Sequence, residues 1–191
     1  LKQHVRPFRE RRILDDNAPL SAVIRAVHQA GYCFVRILGQ PAAVVAKPDL
    51  EKAPMRMWLF GMITMLEAAL TEAVQHFFPD EAWTEQMPAG RLEKAQALRS
   101  ERVRRQQEAD LLDCLQMADM VMVLLKDAEG RRQMGVESRR ETEASFKQIQ
   151  SLRTNLAHGQ PFVTHDWVAV VSLTESLEGI LGLVPPADEV G

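Results

Sequence analysis

Apolar positions change their period part of the way along the chain. The stretch "APLSAVIRAVHQAG" reads as a short helix, with Pro19 near its start and Gly31 just past its end. "YCFVRI" follows with β-branched and aromatic content, then the turn signal "LGQP", then the apolar strand "AAVVA". "KPDLEKAP" starts another helix and closes this unit at Pro54, and an extended piece is expected around Arg12 to Leu14. From Met55 onward the pattern is helical and shows no strand.

The helical part divides into about five segments. "MRMWLFGMITMLEAALTEAVQHFF" is one long helix ending at Pro79, "RLEKAQALRSERVRRQ" a charged one, and "EADLLDCLQMADMVMVLLKD" an amphipathic one ending near Gly130. "SRRETEASFKQIQSLRTNLAH" opens with Ser138 and Glu141 in capping-box spacing. "THDWVAVVSLTESLEGILG" follows Thr164, a good N-cap, and ends at Gly182, leaving "PPADEVG" as a loose tail. The expected fold class is therefore α+β: a small α/β module over residues 1–54 and an all-α bundle over 55–191.

The first bundle helix carries two apolar stripes. Met55, Leu59, Met62, Leu66, Leu70 and Phe77 form one; Phe60, Ile63, Val74 and Phe78 form the other. A helix apolar on most sides is buried on most sides, so the second stripe predicts a partner surface, either the N-terminal module or a second protomer. Glu67 interrupts that stripe. Burying a charge without a partner is costly, so Glu67 either pairs with an arginine, Arg153 being the candidate, or reaches solvent at the stripe's edge.

On the helix from Ser138, residues Phe146, Ile149, Leu152 and Leu156 recur at spacings of three and four and predict the core face. Arg153 lies at the edge of that face, and His158 lies about 140° further round, well off it. Two readings follow for this pair. His158 meets the helix C-terminus before Gly159 while Arg153 snorkels along the core edge, or the two do chemistry together.

Composition narrows the field only slightly. Acidic residues number 26 against 23 basic ones, a net charge of −3, so any attraction for nucleic acid has to come from a local patch. The best patch is Arg91 to Arg105, where six basic residues face two acidic ones; its candidate RNA contacts are Arg99, Arg102, Arg104 and Arg105. A solvated helix face is the plainer meaning of such a run. Cys33 and Cys114 stand far apart in apolar patterns, which predicts buried reduced thiols and a cytoplasmic protein. His28, His76 and His165 have no ligand spacing, so no metal is expected. No signal peptide is visible, and the apolar runs fall short of a membrane span, so no membrane partner is expected. The chain begins at Leu1 without a Met, which allows for residues upstream.

Two resemblances complete the reading. Residues 12–53, through "APLSAVI" and "YCFVRILGQPAAVVAKPDL", resemble one cystathionine-β-synthase-type (CBS) motif, a unit that pairs to bind adenine nucleotides. By position Asp49 matches the family's ribose-binding Asp, and Ala46 stands where a Ser or Thr is usual. With Pro48, the same Asp49 also suits a helix start, where a carboxylate favours the dipole. No cofactor is expected beyond an adenine nucleotide at this module. The motifs work in pairs, which implies either a second one upstream of Leu1 or a homodimer.

"LRTNLAHG" resembles the signature of the HEPN superfamily, helical domains with an Arg, four to six residues, then a His. The bundle over 55–182, with "LLDCLQMAD", "LRTNLAH" and "DW" in that order, resembles HEPN domains fused to CBS motifs. The resemblance implies a homodimeric, metal-independent endoribonuclease. His158 would be its acid/base and Arg153 its phosphate stabiliser, with Asn155 orienting one of them or touching the phosphate; the residue after the Arg, usually Asn, Asp or His, is Thr154. The other function implied is a non-catalytic dimer that senses an adenine nucleotide or a protein partner.

Overall fold

The computed structural model describes residues 12–133, 138–163 and 166–180. The protein is a mixed α+β chain, with seven α-helices and one three-stranded sheet among these residues. It divides into two units. One holds the described residues up to Phe60 together with those from Asn155 onward; the other is Gly61–Thr154.

The first unit is built on the sheet. Strand β1 (Ile13–Asp15), helix α1 (Leu20–Ala30), β2 (Tyr32–Ile37) and β3 (Gln40–Ala46) follow in order. β1 runs parallel to β2, as a strand reached through a crossover helix does, and β2 pairs antiparallel with β3. The β2–β3 turn has only two residues, Leu38 and Gly39, with φ of 50° and 80°. Positive φ at both positions gives the turn the twist that matches the two strands. Val35 pairs with Ala43 but Arg36 with Pro41, so Ala42 is an extra, bulged residue. Pro41 has no N–H to donate and is accommodated on this edge strand.

Helix α1 begins after Pro19 and ends at Gly31, whose φ of 80° and N–H bond to the Val27 carbonyl close it in a left-handed cap. Its apolar stripe, Ile24 and Val27, is buried against β2 and against α7 (Trp167–Ile180). The indole N–H of Trp167 donates to Nδ1 of His28 at 2.7 Å, and the Lys47 ammonium lies 4.9 Å from the Trp167 ring centroid. After β3 a 3₁₀ turn, Lys47–Glu51, buries Leu50 and leads into α2 (Ala53–Phe77), so the helix expected from "KPDLEKAP" is a tight turn followed by the start of the long helix.

The second unit is helical: the rest of α2, then α3 (Ala89–Arg104), α4 (Met117–Leu124), α5 (Ala128–Gln133) and α6 (Arg139–Ala157) up to Thr154. One sequence expectation is corrected here. The segment 108–127 is not a single helix but a 3₁₀ turn at Leu112–Cys114 and then α4, with α5 following separately. Two carboxylates make the breaks. Asp119 accepts the Gln116 N–H at 3.2 Å and starts α4; Asp127 accepts the Gly130 N–H at 2.8 Å and starts α5. Ser138 accepts the Glu141 N–H at the start of α6. Thr164, the expected cap of α7, and Gly182, its expected end, lie outside the described residues.

The core follows the expected stripes. Leu59, Ile63, Leu66 and Val74 of α2 and Leu152 of α6 are fully enclosed, each burial contributing roughly 1.5–3 kcal/mol before side-chain entropy is set against it. Phe60 of the second α2 stripe is 44% exposed, as are Met57 and Met65 at 75% and 47%. The expectation that no segment reaches membrane-span length is also corrected. α2 has 25 residues and a best-window mean hydropathy of 1.4, long and apolar enough to cross a membrane by length and composition alone. Core helices of globular domains meet the same measure when they are apolar on most sides.

Candidate functional site

In the second unit, three sequence-predicted residues line one open cleft of about 540 Å³: Glu67 from α2, Arg102 from α3 and Arg153 from α6. Leu98, Met117 and Met120 supply apolar wall, and Gln116 and Gln150 face in beside them. The Arg153 guanidinium meets the Glu67 carboxylate through Nε, 3.1 Å from Oε1. This is the first of the two outcomes open to a charge inside the α2 stripe. Glu67 is 28% exposed and Arg153 half-exposed. Because the contact uses Nε, the two terminal nitrogens of Arg153 keep their N–H donors unspent among the described residues. A planar fork presented this way matches a phosphate or carboxylate bidentately.

The other basic residues serve the fold first. Arg99 donates to the Ala109 carbonyl at 3.1 Å and Arg102 to the Asp113 carbonyl at 3.1 Å, so both tie the end of α3 to the segment that walls the cleft. Arg104 and Arg105 share Glu101 at 2.7 and 2.9 Å. Arg91 pairs with buried Asp119. Of the four arginines expected to touch RNA, Arg102 alone lines the cleft.

In the first unit the end of α6 is set by its backbone. Gly159 takes φ of 68°, its N–H bonds the Leu156 carbonyl at 3.3 Å, and the Gln160 N–H bonds the Asn155 carbonyl at 2.9 Å. That pair of bonds is a Schellman motif, and it caps the helix without any side chain. His158 stands at the cap position, exposed as the helical angle predicted, and its ring makes no hydrogen bond or ion pair among the described residues. The capping reading of this histidine is therefore corrected: Gly159 and Gln160 perform that task. Arg153 belongs to the second unit and His158 to the first.

Asn155 is half-buried, and its amide Nδ2 donates to Asp166 at 2.5 Å. One of its two amide N–H donors is thus committed within the first unit. The Thr154 hydroxyl donates to the Gln150 carbonyl one turn earlier and stays on its own helix. Asp49 accepts the Ala46 N–H at 2.9 Å and pairs with Lys52 at 2.7 Å. Those contacts, Lys52 first and then the Ala46 N–H, hold its carboxyl below the ordinary carboxylate range. Asp49 closes the 3₁₀ turn, as the plainer of its two readings required.

Comparison with protein-family models, with curated proteins and with solved structures finds no match.

Sequence reasoning missed two polar residues of the first unit, Glu51 and Arg56, which hold the segment after α6. It also missed Gln116 and Gln150, whose amides meet at 3.4 Å on the cleft wall. Glu51 and Arg56 find their partners about a hundred positions away, and Gln116 and Gln150 are 34 positions apart, so no local spacing pairs them. Cys33 and Cys114 are free and buried, and burial pushes the Cys33 thiol up. No three potential metal-ligating side chains gather among the described residues.

Proposed function

We propose that the chain is a metal-independent endoribonuclease of HEPN type that works as a homodimer, its helical bundle following a small CBS-like module. In this reaction the ribose 2′-oxygen attacks the adjacent phosphorus and the bond to the 5′-oxygen breaks, leaving a cyclic phosphate and a free hydroxyl. One proton has to leave the attacking oxygen and one has to reach the leaving oxygen. His158 is the acid/base group, since an imidazole can both take up and give back a proton. Arg153 neutralises charge growing on the phosphate oxygens, Glu67 holding its Nε so that the terminal fork faces substrate. Arg102 adds a second cation on the Arg153 cleft.

The observation that carries this reading is His158 itself: an exposed imidazole at a helix end capped by its own backbone, with no hydrogen bond or ion pair among the described residues. The exposed Met57, Phe60 and Met65 of α2 support a second protomer as partner. Asp49 is occupied by Lys52 and Ala46, so an adenine nucleotide at the CBS-like module would have to displace Lys52 to reach the carboxylate.

The second reading is a non-catalytic dimer that senses a nucleotide or a protein. It is favoured by Thr154, whose hydroxyl proton is spent on the Gln150 carbonyl and so is not donated to substrate. Labelled single-stranded RNA incubated in EDTA with wild type and His158→Ala separates the two. Cleavage by wild type that disappears in the variant is expected; no cleavage by either, with and without adenine nucleotides, favours the sensor.

A further inference from the structure

Four polar contacts converge on the short segment that carries His158, and all four come from one mutually paired couple of side chains. Arg56, in the first turn of α2, sends Nη2 to the carbonyls of Asn155 (3.3 Å) and Gln160 (2.8 Å). Its Nη1 meets Glu51 Oε2 at 3.1 Å. Glu51 Oε1 accepts the N–H groups of Phe162 (2.9 Å) and Val163 (2.7 Å). The guanidinium also lies 5.3 Å from the ring centroid of Phe162, which is fully buried. Both charged side chains are largely covered, 20% and 28% exposed.

The chemistry of a helix end explains what this pair does. The last carbonyls of a helix have no intrahelical donor, and a cation there also meets the negative end of the dipole. Arg56 supplies donor and charge together at Asn155, three residues before His158, and at Gln160, two residues after it. Glu51 then captures the next two free N–H groups. The backbone on both sides of His158 is held while its ring is left unbonded. A histidine so mounted keeps only its side-chain torsions as freedom.

We propose that Glu51 and Arg56 are positioning residues for His158, fixing the turn 158–163 and thereby the direction in which the imidazole is offered. The inference rests on the reading of His158 as the acid/base group, and it has a physical consequence that can be measured without RNA. In the full chain, Arg56→Ala and Glu51→Gln should lower the hydrogen-exchange protection of the Gly159 and Gln160 amides by about tenfold or more, which is about 1.4 kcal/mol of local opening. The His158 ring resonances should move, while those of His76 should not.

Against RNA, kcat should fall up to about 100-fold with KM changed less than about twofold, as for a misplaced acid/base group. The double variant should be no worse than the poorer single one, since both side chains act through one turn. Arg56→Lys, which keeps the charge but has no second nitrogen to meet Glu51 while the first serves the two carbonyls, should recover part of the protection and little of the rate. If wild type cuts no RNA, the ribonuclease reading fails, and amide exchange alone then decides whether the pair fixes the turn. Unchanged protection and unchanged His158 signals in both single variants overturn the proposal, as does a fall in rate matched only by a fall in global stability.

Discussion

Replacing Leu152 by Ala tests the geometry on which the whole reading of α6 depends. Leu152 is fully enclosed, one residue before half-exposed Arg153 and six before exposed His158. The change removes three carbons, a transfer loss of about 2.4 kcal/mol at ~0.8 kcal/mol per carbon. The cavity left behind adds to this, since packed neighbours relax only in part, and brings the total to roughly 2.7–5 kcal/mol. For a chain of this size the melting temperature should drop by roughly 5–20 °C.

Urea and thermal unfolding followed by circular dichroism measure both quantities. His158→Ala, measured beside it, should change stability by less than about 0.5 kcal/mol, because the ring is exposed and bonded to nothing described. A Leu152→Ala loss below about 1 kcal/mol would mean that the core face of α6 lies elsewhere. An equal loss for the two variants would refute the assignment of His158 to the outside of the helix.

Three further outcomes follow from single contacts. Gly159→Ala should cost about 1–2 kcal/mol through its left-handed φ of 68° alone, since a Cβ there meets nothing within 4 Å; an unchanged urea midpoint would contradict the Schellman cap. Asp119→Ala should cost about 1–3 kcal/mol, because it uncaps the Gln116 N–H and strips Arg91 of its partner in one step. Asp49 has its carboxyl lowered by Lys52 and by the Ala46 N–H, so its contribution is fully present above the unfolded value near ~3.9 and is lost as pH falls through the lower folded value. The stability gap between wild type and Asp49→Asn should therefore be flat from neutral pH to about pH 5 and close below about pH 4; a gap that widens on acidification would reverse the sign of the argument.

Part of this architecture was legible because its causes are local. The caps of α1 at Pro19 and Gly31, the span of β2 over Tyr32–Ile37, and the inward face of α6 through Phe146, Ile149, Leu152 and Leu156 follow from spacing and capping chemistry within one or two turns. The break in 108–127 had a visible signal as well. Asp119 and Asp127 lie inside the apolar run, but whether such a residue faces solvent or folds back to cap a new helix depends on the chain's path, which periodicity does not carry.

The candidate site divides the same way. That Glu67 either pairs with Arg153 or reaches solvent followed from a charge placed in an apolar stripe, and that His158 faces outward followed from its helical angle. The α6 cap was half legible: Gly159 was visible, but the bond of Gln160 to Asn155 that frees His158 from the task was not.

By itself, then, the sequence determined most of the elements, which of their faces are apolar, and where a charge or a left-handed residue makes a demand, but not the breaks at 47–51 and within 108–127. Only the tertiary structure decided how those demands are met. Arg102 joins Arg153 on one cleft, Asn155 turns to Asp166, and Glu51 with Arg56 reaches the segment beyond α6. The physical reason is range. Propensity, amphipathic period and capping act between residues a few positions apart, whereas these polar contacts mostly join positions brought together by packing, where any of several surface arginines or carboxylates would satisfy the same local rule.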